Sequence, residues 1–101
     1  MKIKRVEHIA IAVDSINESL GMLRDTFGIE MEYEEQRPTG RLAMLPIGET
    51  YLELLESRSP ESGVTKWINE KGTGLFHICF EVEDIENRFG NRKHYRAAYL
   101  A

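Results

Sequence analysis

The sequence predicts an α+β fold: a β-α-β-β-β unit followed by the start of a second, incomplete unit. Three observations predict it. A phrase occurs twice, as Val6-Glu7-His8-Ile9-Ala10-Ile11-Ala12-Val13-Asp14-Ser15-Ile16 and as Leu75-Phe76-His77-Ile78-Cys79-Phe80-Glu81-Val82-Glu83-Asp84-Ile85, with His, Ile, Val and Ile in identical places. The first copy runs into an amphipathic helical pattern, and three short strand patterns joined by turn chemistry come after it. At 101 residues the chain has room for one domain and one modest core.

Residues 3 to 13 alternate, which puts Ile9, Ile11 and Val13 on one strand face and His8, Ala10 and Ala12 on the other. The β-branched face reads as core. Ser15 stands three residues before Glu18 at capping-box spacing. Ile16, Leu20, Leu23 and Phe27 then recur at helical intervals and Gly28 supplies a stop, so a helix is expected over residues 15 to 27. Strands are expected over residues 29 to 35, 41 to 47 and 50 to 56. Arg37-Pro38-Thr39-Gly40 and Gly48-Glu49 form the turns between antiparallel neighbours. In the last of these strands Leu52 and Leu54 share one face, and Tyr51, Glu53 and Leu55 share the other.

Residues 1 to 56 therefore make a complete β-α-β-β-β module. Residues 57 to 74 read as a linker with a short helix, in which Val64, Trp67 and Ile68 form an apolar stripe before Lys71-Gly72-Thr73-Gly74 breaks it. Residues 75 to 101 open a truncated second module, all within a single domain spanning residues 1 to 101. Ile78, Phe80 and Val82 repeat the core face, and Asp84 or Glu83 is placed to cap a second helix. After Asn87 the likeness between the copies fades. The shift that lays His77 on His8 carries Ala101 onto Glu32, so the last three strands of the second copy have no counterpart.

The net charge of -4 argues against nonspecific binding to nucleic acid or to acidic membrane surfaces. No apolar stretch approaches bilayer length, and the start of the chain shows no signal-peptide core, which leads to an expected cytoplasmic location. Cys79 is the only cysteine, in keeping with a reducing compartment.

His8 and His77 hold matching places on the non-core faces of two strands, and Glu53 lies on the corresponding face of another. Two neutral imidazoles and a carboxylate suit a divalent metal. The residues alone leave a second reading open, in which the histidines are part-buried and hydrogen-bonded to neighbours and Glu53 is solvated. Of the other candidates, Cys79 is read as a small buried residue in place of Ala10, and Trp67 as a core anchor for the linker helix. The basic run from Arg88 to Arg96, which includes His94, could meet phosphates, but a poorly patterned basic tail is more often solvated.

The repeated phrase, the segment Tyr51-Leu52-Glu53-Leu54-Leu55-Glu56 and the run Gly74-Leu75-Phe76-His77-Ile78-Cys79-Phe80-Glu81-Val82 together resemble the vicinal oxygen chelate superfamily, which includes glyoxalases and bleomycin-resistance proteins. Within it they look most like the methylmalonyl-CoA epimerase family, from about residue 4 to residue 86. The resemblance implies paired modules whose mixed sheet curls into a cup. It also implies a divalent ion (Co, Mn, Ni or Zn) held by His8, Glu53, His77 and a fourth Glu on a last strand that has no counterpart here. The activity implied is proton abstraction beside the thioester carbonyl of an acyl-CoA, with the metal stabilising the enolate. A second carboxylate, on the third strand and facing the cup, falls at Ala43 in this alignment. The alternative is a non-catalytic small-molecule binding protein of the bleomycin-resistance kind. A partial second module leads to the expectation of a homodimer or higher homo-oligomer in which sheets complete one another, or of a tail after Asn87 that folds as a helix over the exposed face.

Overall fold

The computed structural model describes the backbone of residues 2–86 and 92–98 and the side chains of residues 3–81. The chain order is β1 (Lys2–Ala12), α1 (Ile16–Phe27), β2 (Tyr33–Arg37), β3 (Gly40–Ile47), β4 (Thr50–Ser57), α2 (Gly63–Lys71), β5 (Gly74–Glu86) and β6 (Arg92–Ala98). The strands form one six-stranded sheet in the order β2-β3-β4-β1-β5-β6. β1 and β4 run parallel and every other pair is antiparallel, so the sheet is mixed. The α+β class expected from the sequence is the class observed.

α1 starts and stops where its sequence signals lie. Ser15 is extended, and its hydroxyl accepts the Glu18 backbone N–H at 3.2 Å. This satisfies one of the orphan donors of the first turn. The Ile16 N–H donates to Glu56 Oε1 on β4 at 2.9 Å, which ties the helix start to the sheet. At the other end Gly28 adopts φ 69, its N–H reaches Arg24 O at 2.9 Å, and the Ile29 N–H reaches back to Leu23 O at 3.3 Å. That pair of bonds closes the last carbonyls of the helix.

Ile16, Leu20 and Leu23 of α1 pack with Ile11 of β1, Val13 just beyond it, Leu52 and Leu54 of β4, and Ala43 and Leu45 of β3. This is the core, on the face that Ile11 and Val13 were expected to cover. The opposite face of β1 is not solvated, because Ala10 and Ala12 are both 0% exposed. The two hairpins turn at Pro38-Thr39 and Gly48-Glu49. Gly40 is required by close approach: a Cβ there would lie 2.0 Å from the Glu56 carbonyl oxygen.

Two expectations need correction. The strand expected over residues 29 to 35 forms at Tyr33–Arg37. Ile29 is used to close α1 and packs on the core, and pairing with β3 begins only where the Glu32 N–H meets Met44 O at 2.8 Å. The helix expected after Glu83 or Asp84 does not form. β5 continues to Glu86, and β6 returns antiparallel to it, with Glu86 facing Arg92 and Ile78 facing Ala98 in register. An acid after a strand caps a helix only if an apolar helical stripe comes next, and residues 88 to 96 carry none. The side chains of Arg88 to Arg96, His94 among them, lie outside the described residues. Among the described residues no helix is long and apolar enough to cross a membrane.

Candidate metal centre

Three adjacent strands, β4, β1 and β5, build the site with β1 in the middle. The β1–β4 register sets His8 beside Tyr51 and Ala10 beside Glu53, and the β1–β5 register sets His8 beside Cys79 and Ala10 beside His77. Residues that face one another in register project from the same side of a sheet. His8, Glu53 and His77 therefore share one face, with Ala10 between the last two. The methyl group of Ala10 is small enough to leave the space between Glu53 and His77 open.

The side chains converge in that space. His8 Nε2 lies 3.0 Å from His77 Nε2 and 3.6 Å from Glu53 Oε1. One ligand atom from each of the three residues falls within 4.8 Å of the other two. The imidazole rings meet edge to face, at 5.1 Å between centroids and 69° between planes. Four-coordinate binding with bonds near 2.0–2.1 Å sets neighbouring ligand atoms about 3.3 Å apart. The His8–His77 and His8–Glu53 separations lie on either side of that value, and the third lies within 4.8 Å, so the donor set is compatible with a first-row divalent ion.

The electrostatics of the metal-free cluster point the same way. Burial pushes the Glu53 carboxyl above its ordinary range, with Glu7 and Glu35 adding to the rise and His8 and Arg37 opposing it. Burial, and then the charge of His8, push His77 below its ordinary range. A carboxylate short of solvent beside an imidazole that resists protonation is a donor set that a cation relieves. His8 Nδ1, on the far side of the ring, contacts the Glu7 carboxylate. Glu7 escapes a reading of the sequence, because a strand neighbour of His8 belongs by alternation to the opposite face.

The β3 positions require a further correction. Met44 faces Glu53 and Leu42 faces Leu55, so these are the residues β3 turns toward the site. Ala43 faces Leu54 on the core side and is fully buried. Leu42 and Leu55 also line a cavity of about 210 Å³ with Arg37, Arg41, Val64 and Phe76. Phe76 meets Trp67 edge-on at 5.4 Å, and its ring lies 5.5 Å from that of His77. Trp67, expected as a core anchor, is half-buried and lies outside the core cluster. Of the nearby acids, Glu34 pairs with Arg41 at 2.5 Å, and Glu35 is bonded to Tyr33 and Arg37. Cys79 is 5% exposed, and burial, with Glu7 and Glu53, raises its thiol pKa, which suits the small packed residue expected.

Residues 7–98 match the glyoxalase/bleomycin resistance protein/dioxygenase superfamily. The chain belongs to that superfamily. The match carries the superfamily's pattern past residue 86 and through β6, beyond the point where the likeness between the two copies fades. The ethylmalonyl-CoA/methylmalonyl-CoA epimerase of Cereibacter sphaeroides is 30% identical over 82% of this chain and 64% of its own length. A mouse mitochondrial methylmalonyl-CoA epimerase is 28% identical over 83% of this chain and 49% of its own. A variant of the Streptomyces coelicolor methylmalonyl-CoA epimerase, solved in complex with 2-nitronate-propionyl-CoA, superposes with a TM-score of 0.75 at 35% identity, covering 83% of this chain and 64% of that one. The chain thus spans about half to two thirds of the length of these superfamily relatives.

Proposed function

We propose that the protein is a metal-dependent epimerase or isomerase of the methylmalonyl-CoA epimerase type, in which His8, Glu53 and His77 hold one divalent ion of the Co, Mn, Ni or Zn group. The observation that carries this reading is the meeting of two imidazole nitrogens and a carboxylate oxygen from three neighbouring strands, in a chain whose relatives are acyl-CoA epimerases. Bound there, the ion supplies Lewis acidity, which lowers the cost of negative charge on a thioester oxygen when the adjacent carbon gives up its proton. The chain's own residues present two imidazole nitrogens and a desolvated carboxylate, and Leu42, Leu55 and Met44 give the same face an apolar lining. In the test, the protein loaded with cobalt or zinc exchanges the α-proton of methylmalonyl-CoA with deuterated solvent. A metal-loaded protein that exchanges no deuterium removes the epimerase reading.

A second reading has its own observation. Epimerisation removes a proton from one face and returns it on the other, so two acid-base groups are needed. β3 offers Leu42 and Met44 to the site, and neither can move a proton. Glu35 shares that face one strand further out, but it is engaged with Tyr33 and Arg37. A small-molecule binding protein of the bleomycin-resistance kind accommodates such a surface. In the exchange assay it binds the acyl-CoA and leaves the α-proton in place. For either reading we propose a homodimer or higher oligomer, supported by the exposure of Met31, Tyr33 and Ile47 near the β2 edge. Sedimentation as a monomer at micromolar concentration excludes it.

A further inference from the structure

We infer that Glu7 is the positioning residue of the site: its carboxylate accepts the Nδ1–H of His8 and fixes the tautomer in which the Nε2 lone pair of His8 faces Glu53 and His77. The inference deepens the metal-site reading and rests on it for its effect on metal affinity, but its structural content stands in the metal-free protein.

The backbone supplies the first argument. In a regular strand Glu7 and His8 would project to opposite faces and could not meet. β1 is irregular at this point: Val6 pairs with Phe80 and His8 with Cys79, so two residues of β1 are passed while β5 advances by one. Glu7 is the extra residue of a β-bulge. Bulges re-aim a side chain, and they recur beside functional sites. The pairing of β1 with β4 begins at His8, and the Val6 carbonyl is capped from the other side by the Thr50 hydroxyl at 2.9 Å, so the bulge is held on both flanks.

Hydrogen-bond chemistry supplies the second. An ionised carboxylate only accepts, so its contact with His8 Nδ1 requires the proton to be on that nitrogen. In neutral His8, Nε2 is then the bare acceptor. With His8 neutral, the 3.0 Å approach of the two Nε2 atoms puts the His77 proton on Nε2 when no metal is present, and that proton must leave before His77 binds an ion through Nε2. One carboxylate therefore fixes both tautomers, and His8 is set to bind an ion without rearrangement. Imidazole ligands held in this way by a carboxylate on the remote nitrogen are oriented and made more basic, and loss of the carboxylate lowers metal affinity by about 10–100-fold. The two nitrogens of His8 have separate partners, with Glu7 at Nδ1 and the ligand cluster at Nε2.

The test is long-range 15N–1H correlation NMR of the labelled, metal-free protein at mildly alkaline pH, paired with cobalt and zinc titrations of wild type, Glu7→Ala and Glu7→Gln. Expected are a protonated Nδ1 and a bare Nε2 on His8 in wild type and in Glu7→Gln, whose amide oxygen still accepts. Glu7→Ala is expected to lose that bias and to bind either metal about 10–100-fold more weakly, with Glu7→Gln between the two. A wild-type His8 protonated on Nε2, or a Glu7→Ala protein with unchanged tautomers, overturns the inference. If the tautomers behave as expected and wild type takes up no metal, the positioning role stands and the metal-site reading falls.

Discussion

β1 and β5 begin with the same words and end differently. Each carries a histidine toward the same point, and they pair along most of their length. β1 stops at Ala12 and hands over to α1, whereas β5 runs to Glu86 and folds back as β6. The shared residues are those that make a half-buried strand, and they do that in both copies. The next element is decided by the residues beyond the strand: Ser15 as a cap, Ile16, Leu20 and Leu23 as a stripe and Gly28 as a stop in the first copy, with no such set in the second. A repeat can thus preserve a ligand position while the surrounding architecture diverges.

The comparison can be broken most severely through the core that, among the described residues, is built by the first copy. Leu54, 1% exposed beneath α1, anchors it, and Leu54→Ala is expected to cost about 2–5 kcal/mol in a urea or thermal unfolding curve. The matching small residues come next. Ala10 sits between Glu53 and His77 in register, so Ala10→Leu is expected to lose about 1–3 kcal/mol by overpacking and to abolish metal uptake. Cys79→Ala at the equivalent place should keep metal uptake, since Cys79 lies beside His8 and not between two of the ligands. The smallest effect separates the two strand ends. Ser15→Ala is expected to cost about 1 kcal/mol, because it removes the acceptor for the Glu18 N–H. In the second copy β5 continues to Glu86, so Asp84 has no helix start to cap.

Much of the fold was legible because its signals are local. The ends of α1 are set by Ser15, Glu18 and Gly28, and β3 and β4 lie where alternation and the Gly48-Glu49 turn put them. The repeat pointed to His8 and His77, and the alternation of Tyr51, Glu53 and Leu55 chose the third side chain of the cluster. The features that were not legible depend on pairing between distant strands. The bulge that turns Glu7 toward His8 exists only against Phe80 and Cys79, and the choice of Leu42 and Met44 over Ala43 as site-facing residues is set by the β3–β4 register. A slip of one residue exchanges the faces of a strand, and nothing within β3 itself, where Leu42, Ala43, Met44 and Leu45 are all apolar, marks which face is which. β6 was hidden for a related reason, since its pairing with β5 and not any pattern of its own makes it a strand.

That His8, Glu53 and His77 together hold one divalent ion is tested most directly by metal content. Purified without chelator and analysed by elemental mass spectrometry, the wild-type chain should carry about one ion per chain, while folded His8→Ala and His77→Ala should carry almost none, with affinity reduced beyond the roughly 100-fold upper range for losing a supporting carboxylate. A folded wild-type protein that neither retains nor takes up cobalt, manganese, nickel or zinc, or histidine variants that bind as wild type does, would contradict it.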